Sequence, residues 1–198
     1  MPIAGSLSDR FGRRPVVLLS NLGLGLDYVL MALAPNLAWL FVGRVISGIT
    51  AASVSTGMAY VADVTPAEKR SGAFGMIGVA FGIGFVFGPA LGGVLGTIDP
   101  RLPFWVAAGL SLANATYGYF VLPESLPPEK RRPFEWRRSN PLGALRLLRS
   151  HPELTGLAGV VFLNNLAHAA LPATFVLYAG YRYGWDARTV GLTLGAIG

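Results

Sequence analysis

Five apolar runs, at residues 16–34, 37–61, 72–98, 103–122 and 154–180, constrain this chain more than anything else in it. About 20 apolar residues wound as a helix span the hydrocarbon core of a bilayer, and a backbone in lipid must satisfy its own hydrogen bonds. Each run therefore predicts a membrane-crossing helix. With 53% hydrophobic and only 13% charged residues, and a mean hydropathy of +0.52, the chain is too apolar for an ordinary soluble domain. The expected fold class is an all-α membrane protein. Residues 1–4 read as the tail of an earlier helix and 189–198 as the start of a later one, which predicts a truncated chain of five complete spans and a stub.

The basic residues fall in the gaps between these runs. Arg10, Arg13, Arg14, Lys69, Arg70, Lys130, Arg131, Arg132, Arg137, Arg138, Arg146 and Arg149 lie on one side of the alternating path, and Arg101, Arg182 and Arg188 on the other. Short loops rich in Lys and Arg stay cytoplasmic, so the first group is expected to face the cytoplasm. Such a distribution describes topology, and a nucleic-acid-binding stripe is not expected. Three regions follow: 1–122, then a linker at 123–153 broken by Pro123, Pro127, Pro128 and Pro133, then 154–198. Within the linker, Asn140 and Pro141 open an amphipathic stretch suited to the membrane surface.

No enzyme is expected. The chain lacks cysteine, and its two histidines, His151 and His168, have no metal-like spacing. It has no G-x-S-x-G, H-E-x-x-H or phosphate loop, and GIGFVFG at 82–88 has no strand–turn–helix setting for a dinucleotide. No cofactor or metal is expected.

Residues 5–14, GSLSDRFGRR, carry Gly5, Asp9, Arg10, Gly12, Arg13 and Arg14 in one short block. The block resembles the loop between the second and third helices of the major facilitator superfamily. A second turn, DVTPAEKR at 63–70, repeats the arrangement with Asp63 and Arg70. Superfamily halves are built from three-helix repeats, which accounts for the echo. Asp9 with Arg13, and Asp63 with Arg70, are expected to form charge networks closing the cytoplasmic side.

Two charges lie inside the predicted membrane. Asp27 precedes the Pro35–Asn36 turn by about as many residues as Arg44 follows it, so antiparallel helices would hold both at one depth. Intramembrane charges usually face a partner or a water-filled cavity. A static ion pair and a proton-coupling pair are both compatible with that placement. GRVISGITAAS at 43–53 resembles the superfamily's fourth-helix motif, whose arginine is associated with proton coupling in relatives. Asp27 resembles an acidic position in the third helix of tetracycline efflux proteins.

The third run carries Gly84, Gly88, Gly92 and Gly96 at four-residue spacing, with Gly93 and a mid-helix Pro89. One small-residue face is expected to pack closely on a neighbour. GFVFGPALGG at 84–93 resembles a signature of the superfamily's drug/proton antiporters. Asn114 and Tyr117, and Asn164, Asn165 and His168, are further pathway candidates, though such side chains also serve as interhelical hydrogen-bonding groups.

The resemblance covers essentially the whole chain and is strongest to tetracycline/proton antiporters. It implies a superfamily helical bundle in part, comprising helices two to six, the central linker, and helix seven with the start of eight. It also implies proton-coupled export of a drug, taken as a magnesium-chelated tetracycline, by alternating access in the inner membrane. The partners implied are the drug, protons, the lipid bilayer and the helices missing at either end. An antiporter for another drug or solute, or a membrane fragment that does not transport, are the other readings.

Overall fold

A computed structural model describes residues 2–50, 53–131 and 152–197, and all regular structure among them is helical. In chain order the helices are α1 (Pro2–Phe11), α2 (Arg13–Leu33), α3 (Leu37–Thr50), α4 (Ser53–Val64), α5 (Arg70–Ile98), α6 (Leu102–Val121), α7 (Pro152–Tyr183) and α8 (Ala187–Ile197). Single 3-10 turns stand at Ala67–Lys69 and Pro128–Lys130. Among the described residues, helix occupies each predicted span up to its capping residue. The first block differs from expectation: α1 runs to Phe11, and the predicted loop shrinks to Gly12. Within α1 the Ser8 hydroxyl donates back to Gly5 O, and Gly12 supplies the φ of +105° that redirects the chain. The predicted surface helix near Pro141 lies outside the described residues.

Local chemistry sets the other boundaries. Asn36 Oδ1 accepts the Trp39 N–H at 3.2 Å, capping the start of α3. Pro66 precedes the turn that opens α5, and Pro103 sits in the first turn of α6, where its missing N–H costs nothing. At the end of α7, Gly184 adopts φ +63° and its N–H closes on Gly180 O at 3.1 Å. Asp186 Oδ1 then accepts the Thr189 N–H at 2.9 Å to start α8. Thr189 holds the Asp186 carboxyl below the usual range, through its side chain first and its backbone second, helped by Arg188.

Helices α2 and α5 organise the packing. A Cβ on Gly25 would lie 2.7 Å from Leu112, and one on Gly118 would lie 3.0 Å from Leu18, so α2 and α6 approach through glycine on both sides. Gly43 of α3 stands equally close to Met31 of α2. Helix α8 runs antiparallel to α5: Ala187 meets Gly93, while Gly195 meets Val86 and Ala90. That pairing puts Arg182 and Arg188 at the end of the bundle near Arg101, which itself donates from Nη2 to Ala34 O at 3.2 Å. Arg13, Arg14 and Arg131 meet at the opposite end. Among the described residues, these basic side chains stand at the ends expected of them, while Arg132, Arg137, Arg138, Arg146 and Arg149 lie outside the described residues.

Large apolar side chains are exposed along the helices, among them Leu19, Phe41, Met76, Phe120 and Leu177. By length and composition Arg13–Leu33 and Ala67–Ile98 suffice to cross a membrane. Outside its contact with α8, where Gly93 is buried, α5 is largely exposed, as a helix facing lipid or further helices requires. Near the end of α7, Phe175, Tyr178, Tyr183 and Trp185 form a chain of ring contacts with centroids 5.7 to 6.3 Å apart. Aromatic rings of this kind favour the bilayer–water boundary.

Candidate functional site

Four helix ends converge on Arg13. Its guanidinium binds Asp9 Oδ1 at 2.6 Å, Ser8 Oγ at 2.6 Å and Asp63 Oδ2 at 3.1 Å, and its backbone N–H donates to Glu124 Oε1 at 2.8 Å. Ser8 is fully buried and in turn donates to Gly5 O at 2.8 Å. Helix α1 supplies Asp9, α2 supplies Arg13, α4 supplies Asp63, and the segment after α6 supplies Glu124. One planar guanidinium with several donors holds the acceptors of Ser8, Asp9 and Asp63 at once, a geometry a lysine ammonium cannot match, while the backbone of Arg13 holds Glu124.

The Asp9–Arg13 link matches expectation, whereas the partner of Asp63 does not. Arg70 lies on the far side of the Pro66 turn and donates its Nε to Thr65 O at 3.2 Å, so it serves the turn itself. Asp63 pairs instead with Arg13 and accepts from Ser125 Oγ at 3.4 Å. Arg10 is exposed, its guanidinium 5.2 Å from the Phe11 ring centroid. Arg14 donates to Tyr119 O at 2.6 Å.

Glu124 is the member that motif reading missed as a site residue. Its Oε1 also accepts the N–H of Leu126 at 3.0 Å, and its Oε2 stands 3.9 Å from Arg131. Gly12 is buried beneath it: a Cβ there would collide with the Glu124 carboxylate. The signal available in sequence was the acid of Pro123-Glu124-Ser125, directly after the fourth apolar run at the start of the basic linker.

Deeper in the bundle, Asp27 is 2% exposed, and both of its carboxylate oxygens are buried without a hydrogen-bond partner. A Cβ on Gly43 would sit 3.0 Å from Asp27 Oδ1, so α3 crosses α2 at this depth, as the symmetric spacing about Pro35–Asn36 predicted. The expected direct pairing is not formed. Arg44 is displaced around α3 from the glycine that faces Asp27, and its Nη2 points to Met31 Sδ at 3.5 Å, one turn along α2. Thr56 of α4 is buried as well, and its hydroxyl has no partner.

The seam between α5 and α8 uses one predicted glycine and replaces the rest. A Cβ on Gly93 would lie 2.5 Å from Ala187 O and 2.9 Å from Gly191 Cα. A Cβ on Gly191 would collide with Pro89 O, and one on Gly195 would lie 2.7 Å from Val86 O. Gly84, Gly88, Gly92 and Gly96 have open space where a Cβ would stand. Contact follows the face of Val86, Pro89, Ala90 and Gly93, one step around the helix from the four-residue glycine row. Ala187, Gly191 and Gly195 form a small-residue row on α8 that the sequence displayed and motif matching overlooked.

The pathway candidates are dispersed. Asn114 and Tyr117 are exposed on α6, as is Asn164 on α7. Asn165 donates its amide to Val161 O of its own helix at 2.8 Å. The His168 side chain lies outside the described residues.

Comparison with known proteins agrees along the whole chain. A family profile for the Major Facilitator Superfamily matches residues 1–198. The class C tetracycline resistance protein of Escherichia coli is 41% identical over 197 residues, covering 100% of this chain and 50% of the relative. Multidrug resistance protein 2 of Bacillus subtilis is 30% identical over 96% of this chain and 48% of its own length. Among solved structures, the human organic anion transporter MFSD10 (TETRAN) aligns with TM-score 0.75 and 31% identity, over 99% of this chain and 50% of that one. The chain spans about half the length of the curated relatives it matches.

Proposed function

Because this chain belongs to the Major Facilitator Superfamily, we propose that it forms part of a proton-coupled drug efflux antiporter whose substrate is a tetracycline, carried as its magnesium chelate. Support for the drug class comes from the similarity to tetracycline resistance proteins along the full chain. The observation that carries the coupling is Asp27, an acid sealed in a helix–helix contact with both oxygens free. A carboxyl group in such a place is costly to keep ionised unless a cation answers it, and Arg44 stands on the adjoining helix to do so. Movement of the arginine between Met31 and Asp27 would make proton occupancy depend on the arrangement of α2 and α3.

In this reading the transporter halves rock about a midplane site in the inner membrane, and the Arg13 cluster holds the cytoplasmic ends together in one of the two states. The α5–α8 seam is the contact at which helices from the two halves move against each other. Exchange of one proton for a monocationic chelate moves no net charge, so only the pH gradient drives it, at about 1.4 kcal/mol per unit.

The test is uptake into everted vesicles containing the intact transporter to which this chain belongs, with tetracycline beside a panel of other drugs and organic anions. Asp27→Asn and Arg44→Ala are expected to abolish pH-driven tetracycline uptake while the protein remains in the membrane. Wild-type uptake in both variants would reduce the two residues to scaffolding, and uptake of a different compound alone would reassign the substrate.

A further inference from the structure

Asp27 and Met31 stand four residues apart on α2, on one face of the helix and about one turn from each other. Both are 2% exposed. A Cβ on Gly43 would lie 3.0 Å from Asp27 Oδ1, 2.8 Å from Met31 Cγ and 3.4 Å from Met31 Sδ, so carboxyl and thioether border the same spot on α3. Arg44 follows that glycine, and its Nη2 donates to the sulfur at 3.5 Å although both carboxyl oxygens of Asp27 are without a partner. A thioether is a weak acceptor, whereas a carboxylate takes a guanidinium through charge-assisted bonds about twice as strong as neutral ones. Sulfur can hold the arginine only while the neighbouring carboxyl is neutral. Arg44 is the charged group among the described residues whose field reaches Asp27. The other helices packed on α2 bring none to this depth: α6 has no charged residue, Asp9 of α1 and Asp63 of α4 are held on Arg13, and Arg10 lies beside Phe11. Tyr60 of α4 lies in the field of Glu124, Tyr119 of α6 lies beside Arg14, and Tyr117 is exposed.

We propose that Met31 is a positioning residue, whose sulfur is a second and weaker seat that holds Arg44 off Asp27 while that carboxyl carries its proton. Departure of the proton to the aqueous phase creates the stronger acceptor one turn away, and the guanidinium changes seat by a swing of its side chain. The side chain at position 31 thereby sets how tightly Asp27 holds its proton: a stronger acceptor there keeps the arginine away, and none at all surrenders it to the carboxyl. A cation beside a carboxyl favours the ionised form, which gives each change a sign. Met31→Leu, similar in volume but without an acceptor, lowers the proton affinity of Asp27. Met31→Gln, with an amide oxygen at similar reach, raises it. Simple repacking does not send the two variants in opposite directions. This inference rests on the coupling role proposed for Asp27.

Infrared titration of the intact transporter in lipid tests it, following the C=O band of protonated Asp27, assigned by its loss in Asp27→Asn. The midpoint is expected to fall by about 0.5 pH unit in Met31→Leu, the equivalent of one weak hydrogen bond, and to rise in Met31→Gln. The pH profile of tetracycline uptake in everted vesicles is expected to move in the same two directions. In an Arg44→Ala background, Met31→Leu is expected to leave the midpoint where Arg44→Ala alone puts it. If Met31→Gln does not fold, the Leu and double variants carry the test. An unmoved midpoint in Met31→Leu, shifts of one sign in Leu and Gln, or a Leu shift that persists without Arg44 each overturns the inference and leaves Asp27 as the proton carrier. A band that does not titrate, or wild-type uptake in Asp27→Asn, overturns the coupling reading itself and this inference with it.

Discussion

Gly12 shows how much one residue can fix. Its φ of +105° lies where a side chain is strained, and the Glu124 carboxylate occupies the space a Cβ would need. Gly12→Ala is therefore expected to cost about 1–3 kcal/mol and to loosen the four-way cluster on Arg13, read as a lower unfolding temperature in detergent. Gly5→Ala, with open space at the same motif, should change little. The partner of Asp63 is a lesson at this scale too. Sequence symmetry between residues 5–14 and 63–70 suggested Arg70, which is near in the chain. Arg13 is near in space, because α2 begins beside the end of α4, and that juxtaposition cannot be read from either loop alone.

Helix α8 joins the bundle through its small residues and its cap. Gly93→Ala would force a methyl group against the backbone at Ala187 and Gly191, costing about 1–3 kcal/mol. Gly92→Ala, one residue away and facing open space, is expected to be tolerated by comparison. Cysteine cross-linking between Ala90 and Gly195 positions would report the separation. The cap gives a pH dependence of known sign. The Asp186 carboxyl is held below its ordinary value of 3.8 by Thr189 in the folded state. Its contribution is thus complete at neutral pH and disappears as acid carries the pH down through the folded value. Protection of the amides in the first turn of α8, corrected for intrinsic exchange at each pH, should fall in that acidic range, and Asp186→Asn should flatten the response.

For the molecule as a whole, the contacts of Arg13, Arg101 and α8 place basic residues at both ends of the bundle among the described residues. Lys69 and Arg182 are exposed at opposite ends. The chain has no cysteine, so single substitutions there make clean reporters. An impermeant maleimide is expected to label Arg182→Cys in intact cells and Lys69→Cys only after permeabilisation. Labelling of both from one side would contradict the alternating path.

Apolar length determined the helices, because bilayer thickness and backbone hydrogen bonding admit few alternatives, and the placement of Lys and Arg predicts their alternation across a membrane. The matched depth of Asp27 and Gly43–Arg44 followed as well, since equal counts from a shared turn give equal depth. Only the tertiary structure decided that Arg44 turns to Met31, that Arg13 gathers Asp9, Asp63 and Glu124, and that α5 meets α8 through Gly93 instead of the glycine row beside it. Rotation of a helix about its axis leaves length and composition unchanged but reassigns every contact, and it is set by how neighbouring side chains fit.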